Sequence, residues 1–61
     1  MNQILRLRKR KNLTQKQLAK LVHMSEEQLG RRERGEVPLT DDEIRVLSNA
    51  LHCSFEDILG E

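Results

Sequence analysis

Residues 14–35 read TQKQLAKLVHMSEEQLGRRERG, and this stretch decides the fold. Thr14 and Ser25 each stand three residues ahead of a glutamine, Gln17 and Gln28. A hydroxyl and an amide at that spacing can each accept the other's backbone N–H and so begin a helix. Leu18 and Val22 lie four apart, on one face of a helical turn. Between the two starts only His23, Met24 and Ser25 remain. The spacing predicts helices over 15–22 and 26–34, joined by a three-residue turn and stopped at Gly35.

The same punctuation continues outward. Thr40…Glu43 and Ser54…Asp57 repeat the start signal, and Asn2 is a candidate cap for a first helix. Ile4 and Leu7 lie three apart, as do Ile44, Leu47 and Ala50. No segment alternates with period two over a useful length. Five helices are expected, at about 2–11, 15–22, 26–34, 41–51 and 55–60. Asn12 is expected to turn left-handed after the first helix, and Pro38 suits a loop that needs no helical N–H. The fold class is all-α. A chain of 61 residues holds one domain with a thin core. Phe55 is its only aromatic residue, so aliphatic side chains must fill that core. The candidates are Ile4, Leu7, Leu13, Leu18, Ala19, Val22, Leu29, Ile44, Leu47, Leu51, Ile58 and Leu59.

Composition narrows the function classes. Cys53 is the only cysteine, which rules out an internal disulfide and a multi-cysteine zinc site. His23 and His52 have no second ligand at a recognisable spacing. No metal or other cofactor is therefore expected. No apolar run is long enough for a membrane span or a signal peptide, so the expected location is the cytoplasm, with no membrane partner. The histidines, the cysteine and the scattered carboxylates form no nucleophile–base–orienter set. An enzyme is not expected, and no small-molecule substrate is evident. Net charge is only +1, but residues 1–34 carry +7 and residues 35–61 carry −6. The basic half is the candidate for a polyanion partner.

Within the predicted helix 26–34, positions 26, 27, 30, 31 and 34 are spaced by threes and fours and share one face. Leu29 and Glu33 lie on another. Gly30 is unfavourable in a helix interior by ~1 kcal/mol relative to alanine, for which close approach of a partner is favoured over simple drift. Lys16, Lys20, Arg31, Arg32, Arg34 and the run Arg8-Lys9-Arg10-Lys11 are the cations available to hold phosphates.

Leu13-Thr14-Gln15 followed by Leu18-Ala19, then Glu33-Arg34-Gly35, then Ala50-Leu51 followed by Ser54-Phe55 resemble the DNA-binding domain of the phage Cro and repressor family, the xenobiotic-response-element type. The likeness runs from about Ile4 to Leu59. It implies a compact five-helix, lambda-repressor-like domain whose third helix enters the major groove of double-stranded DNA. It also implies that Gln15 grips a phosphate, and that Ser25, Glu26, Glu27, Gly30 and Arg31 face backbone or base edges. Arg34 matches a backbone-contacting position, and Arg8 with Glu33 matches a structural ion pair. The sequence departs from the family at several points. His23 and His52 stand where glycine is usual, Arg32 where a large apolar residue is usual, and Ser48 where alanine is common. The loop from Glu36 to Asp42 is acidic where relatives meet phosphates.

The two acids that lead the third helix admit two roles. Acids in a first turn stabilise their own helix, and a carboxylate can also accept from the cytosine amino group. Capping and dipole roles are favoured over base contacts. The resulting expectation is a sequence-specific DNA-binding transcriptional regulator, repressor-like and homodimeric. Its dimer contacts would come from the region of Leu51, Cys53, Phe55, Ile58 and Leu59, although core packing is the simpler use of most of them. The alternative is a protein-interaction module on the same fold, such as an antirepressor, an antitoxin-like partner or an oligomerisation unit.

Overall fold

The computed structural model describes residues 2–60. Five helices follow in order: α1 (Ile4–Arg10), α2 (Gln15–Leu21), α3 (Glu26–Glu33), α4 (Asp41–Leu51) and α5 (Phe55–Leu59). Among the described residues there is no strand.

The helix starts follow directly from local chemistry. Thr14, Ser25, Thr40 and Ser54 each cap a helix, and each is answered by the side chain three residues on. In α2, the Gln17 N–H donates to the Thr14 hydroxyl at 3.0 Å and the Thr14 N–H donates to Gln17 Oε1 at 2.8 Å. Asp57 likewise closes the box of α5, the shortest helix. At α1 the expected arrangement is shifted by one residue. Gln3 occupies the capping position without a side-chain capping bond. Asn2, just outside it, accepts the Ile4 N–H at 3.1 Å and donates its amide to the Arg32 carbonyl at 2.7 Å. Asn2 thus caps from outside and tethers α1 to the end of α3.

The stops share one device. Asn12, His23, Gly35 and His52 all have positive φ, between 53° and 78°. In each case the next N–H returns to a carbonyl five residues back: Leu13 to Arg8, Met24 to Ala19, Glu36 to Arg31 and Cys53 to Ser48. This is the left-handed helix ending that satisfies otherwise unpaired carbonyls. It turns the chain sharply four times in 59 described residues, which is how short helices pack around so small a centre.

That centre contains Ile4, Leu7, Leu18, Ala19, Val22, Leu29, Ile44, Leu47, Leu51 and Ile58. Leu13 packs only partly against it, and Leu59 is 41% exposed, so two of the expected core positions lie at its margin. Ser48 is buried, with its hydroxyl donating to the Ile44 carbonyl at 2.7 Å. A satisfied hydroxyl of this kind substitutes for an alanine methyl without leaving an orphaned polar group. The Gln3 N–H donates to the Ile58 carbonyl at 2.8 Å and ties α5 back to the start of α1.

Candidate nucleic-acid interface

Beneath the α2–α3 pair lies a polar knot. Glu33 is buried and points inward from α3. Its carboxylate accepts from Arg8 Nε at 2.7 Å, from Arg8 Nη2 at 3.2 Å and from Gln15 Nε2 at 3.2 Å. Arg8 Nη1 in turn donates to the Leu13 carbonyl at 3.1 Å. No buried side-chain nitrogen or oxygen among the described residues lacks a partner. A fully satisfied ionic group of this sort fixes geometry more than it adds stability. It holds α1, the entry to α2, and α3 in one register.

Gln15 therefore leaves the knot from a defined place. Its amide lies over Gly30, where a Cβ would stand 3.0 Å from Gln15 Nε2 and 3.1 Å from Arg34 Nη1. The space at Gly30, where the sequence points to close approach of a partner, is instead taken by the chain's own side chains. Gly30 is buried, so it is not itself open to a partner; it lets Gln15 and Arg34 meet above it. The structure brings Gln15, Gly30 and Arg34 together at one point on the outer side of α3.

The remaining candidates surround that point. Lys16, Ser25, Glu26, Glu27 and Arg31 are exposed. The Ser25 hydroxyl accepts the Gln28 N–H at 3.0 Å, and Gln28 returns the bond to the Ser25 N–H at 3.0 Å. Gln28 closes the box, which leaves Glu26 and Glu27 free of capping bonds and in the first turn, beside the positive helix end. Glu27 also pairs with Arg31, one turn on, at 3.3 Å. Arg34, at the end of α3, pairs through Nε with Glu36. That hydrogen bond raises the Arg34 guanidinium above its ordinary value and lowers the Glu36 carboxyl below its own.

Two of the cations offered for phosphates are turned inward. Arg8 belongs to the buried knot. Arg32 bonds Glu43 of α4 at 2.9 Å and the Gln28 carbonyl at 3.0 Å. Where an apolar residue is usual, Arg32 instead clamps α3 to α4 with its stem partly covered. Arg6, Lys9, Arg10, Lys11, Lys16 and Lys20 form no ion pair among the described residues.

The apolar set proposed for subunit contacts divides. Leu51 and Ile58 are core, Cys53 packs half-buried against it, and Phe55 and Leu59 are exposed. Burial, with the Asp57 charge adding to it, pushes the Cys53 thiol up, away from the reactive thiolate. The Gln28 closure of the box follows the spacing in the sequence, whereas Glu36 as the partner of Arg34 was missed as a member of this surface. A glycine directly after a helix is the signal for it, since the left-handed turn it allows brings the following side chain back towards the helix end.

Among the described residues, no group of three His, Cys, Asp or Glu side chains could hold a metal ion. Among the same residues, no helix is long and apolar enough to cross a membrane. A family model described as helix-turn-helix matches residues 4–58, a family of DNA-binding regulators that are not typically enzymes. No curated protein matches the chain.

Proposed function

Because the chain belongs to the helix-turn-helix family of the Cro/repressor type, we propose that it is a sequence-specific, repressor-like regulator. In this reading α3 enters the major groove of double-stranded DNA. The observation that carries the reading is the convergence of Gln15 and Arg34 over Gly30, anchored from below by Glu33 and Arg8. Gln15 and Arg34 grip phosphates there, with Lys16 at the flank. Phosphate contacts of this kind set register and orientation but carry no sequence information. Ser25, Glu26, Glu27 and Arg31 are the residues left to meet base edges or the adjoining backbone. A carboxylate in the groove reads the cytosine amino group and an arginine reads guanine. A homodimer would place two such helices in successive grooves about 34–36 Å apart, with exposed Phe55 and Leu59 of α5 as its apolar contact.

Selection of duplexes from a random pool, followed by fluorescence anisotropy, tests the reading. Arg31→Ala is expected to weaken binding and relax preference at one position. Arg34→Ala is expected to weaken all sequences alike and to flatten the salt dependence by about one unit of slope. If neither substitution alters affinity, or no duplex binds even at low salt, where counterion release most favours association, DNA binding fails as the explanation. A protein-interaction module on the same fold then becomes the better account.

A further inference from the structure

We propose that Glu36 governs the DNA affinity of this surface by competing with phosphate for the Arg34 guanidinium. The inference rests on the DNA-binding reading above and adds to it a residue that weakens binding. The position of Glu36 is fixed by backbone, not by chance side-chain contact. Gly35 takes φ 78°, and its N–H donates to the Arg32 carbonyl at 3.1 Å. The Glu36 N–H then donates to the Arg31 carbonyl at 2.9 Å. This helix ending returns the chain against the last turn of α3 and sets the Glu36 carboxylate on Arg34 Nε.

The Arg34 backbone is fixed in the same way. Its own N–H is bonded to the Gly30 carbonyl at 3.1 Å, and its Nη1 lies over Gly30 beside the Gln15 amide. The charge of Arg31 adds a smaller lowering of the Glu36 carboxyl. A phosphate oxygen arriving at Arg34 must displace Glu36 or stand beside it. Either way the contact releases less counterion than a free arginine would, and two like charges are brought close together. The pair is exposed, at 58% and 53% for the two side chains, so solvent screens it and the effect is moderate. Since the affected contact is to backbone, all sequences are weakened alike.

Glu36→Gln, Arg34→Ala and the double variant are measured by anisotropy on a selected duplex and a random duplex over a range of salt. Circular dichroism confirms that each retains the helical fold. Glu36→Gln is expected to tighten both duplexes by about two- to fivefold, to steepen the salt slope by about one, and to leave their affinity ratio unchanged. In the Arg34→Ala background the same change is expected to give less than about twofold. Unchanged affinity on Glu36→Gln, in a protein that does bind DNA, overturns the proposal and leaves the DNA-binding reading standing. Equal gains in both backgrounds also overturn it, because Glu36 would then act as a general repulsive charge. Absence of binding by the original protein and by Glu36→Gln removes both readings, whereas binding by Glu36→Gln alone supports the competition.

Discussion

Replacing Glu33 with alanine tests whether the polar knot organises the molecule. The change removes the acceptor of three donors, at 2.7, 3.2 and 3.2 Å. Arg8 is then left with only the Leu13 carbonyl while its side chain is 10% exposed. Removing one partner of a buried pair typically destabilises by ~3–5 kcal/mol, because the other charge stays desolvated. A chain of this size has a total stability of ~3–9 kcal/mol. Glu33→Ala is therefore expected to lie near the edge of folding in water. Urea titration followed by helical circular dichroism measures the loss. The double variant Arg8→Met with Glu33→Leu removes both charges and is expected to recover most of it, because apolar replacement of a buried pair is often neutral or better. A loss below ~1 kcal/mol for the single variant, well under the range for a buried pair, would refute the reasoning. So would a double variant as unstable as the single one.

Three further outcomes follow from the backbone and the caps. At His52, with φ 53°, glycine relieves left-handed strain of ~1–2 kcal/mol, offset by ~0.5–1 kcal/mol of added unfolded-state freedom. His52→Gly should raise the thermal midpoint by roughly 2–8 °C, and a lower midpoint in thermal circular dichroism would contradict that. Asp57 sits below its ordinary carboxylate value because the Ser54 N–H, and then its hydroxyl, bond to it. Its ionised form therefore stabilises the fold fully above pH ~4, and the benefit is lost as pH falls through the lowered folded value. The stability advantage of the original protein over Asp57→Asn is expected to shrink on acidification, measured as the midpoint difference between neutral and strongly acidic buffer. Gly30→Ala gains ~1 kcal/mol of helix propensity but crowds Gln15 and Arg34, 3.0 and 3.1 Å from the new carbon. Stability within about 0.5 kcal/mol of the original is expected, together with DNA affinity lowered about tenfold. A severe stability loss in urea titration would show that the Gln15 amide cannot yield.

The helix starts were legible because a capping box is a local object, decided within four residues. Thr14, Ser25, Thr40 and Ser54 needed no tertiary information. Asn2 shows the boundary of such reasoning: its amide is drawn to the Arg32 carbonyl, thirty positions away, and the cap moves outward by one residue. The margin of the core was harder to read for a related reason. Ile58 and Leu59 are equivalent in composition, but the short α5 has only one inward position at that level, and Ile58 fills it while Leu59 faces out. Which of two adjacent aliphatic residues turns inward depends on the angle at which α5 docks, and no spacing within five residues specifies it.

The charge of the surface was the least legible feature, since a count of lysines and arginines treats all as equally available. The excess of +7 in residues 1–34 includes Arg8, buried in the knot, and Arg32, clamped to Glu43. It also includes Arg31 and Arg34, each facing a carboxylate. Of these partners, Glu43 and Glu36 come from the acidic half of the chain, so the two halves neutralise one another across the fold instead of forming separate poles. Among the described residues, the cations that remain without carboxylate partners lie along α1 and α2: Arg6, Lys9, Arg10, Lys11, Lys16 and Lys20. On the proposed DNA-binding reading, long-range attraction to the polyanion arises mainly from these helices, while α3 contributes short-range contacts that require its own ion pairs to open. Steering and reading are thereby separated on this molecule. Lys16→Ala or Lys20→Ala should act chiefly on association rate and its salt dependence, and changes at Arg31 chiefly on dissociation.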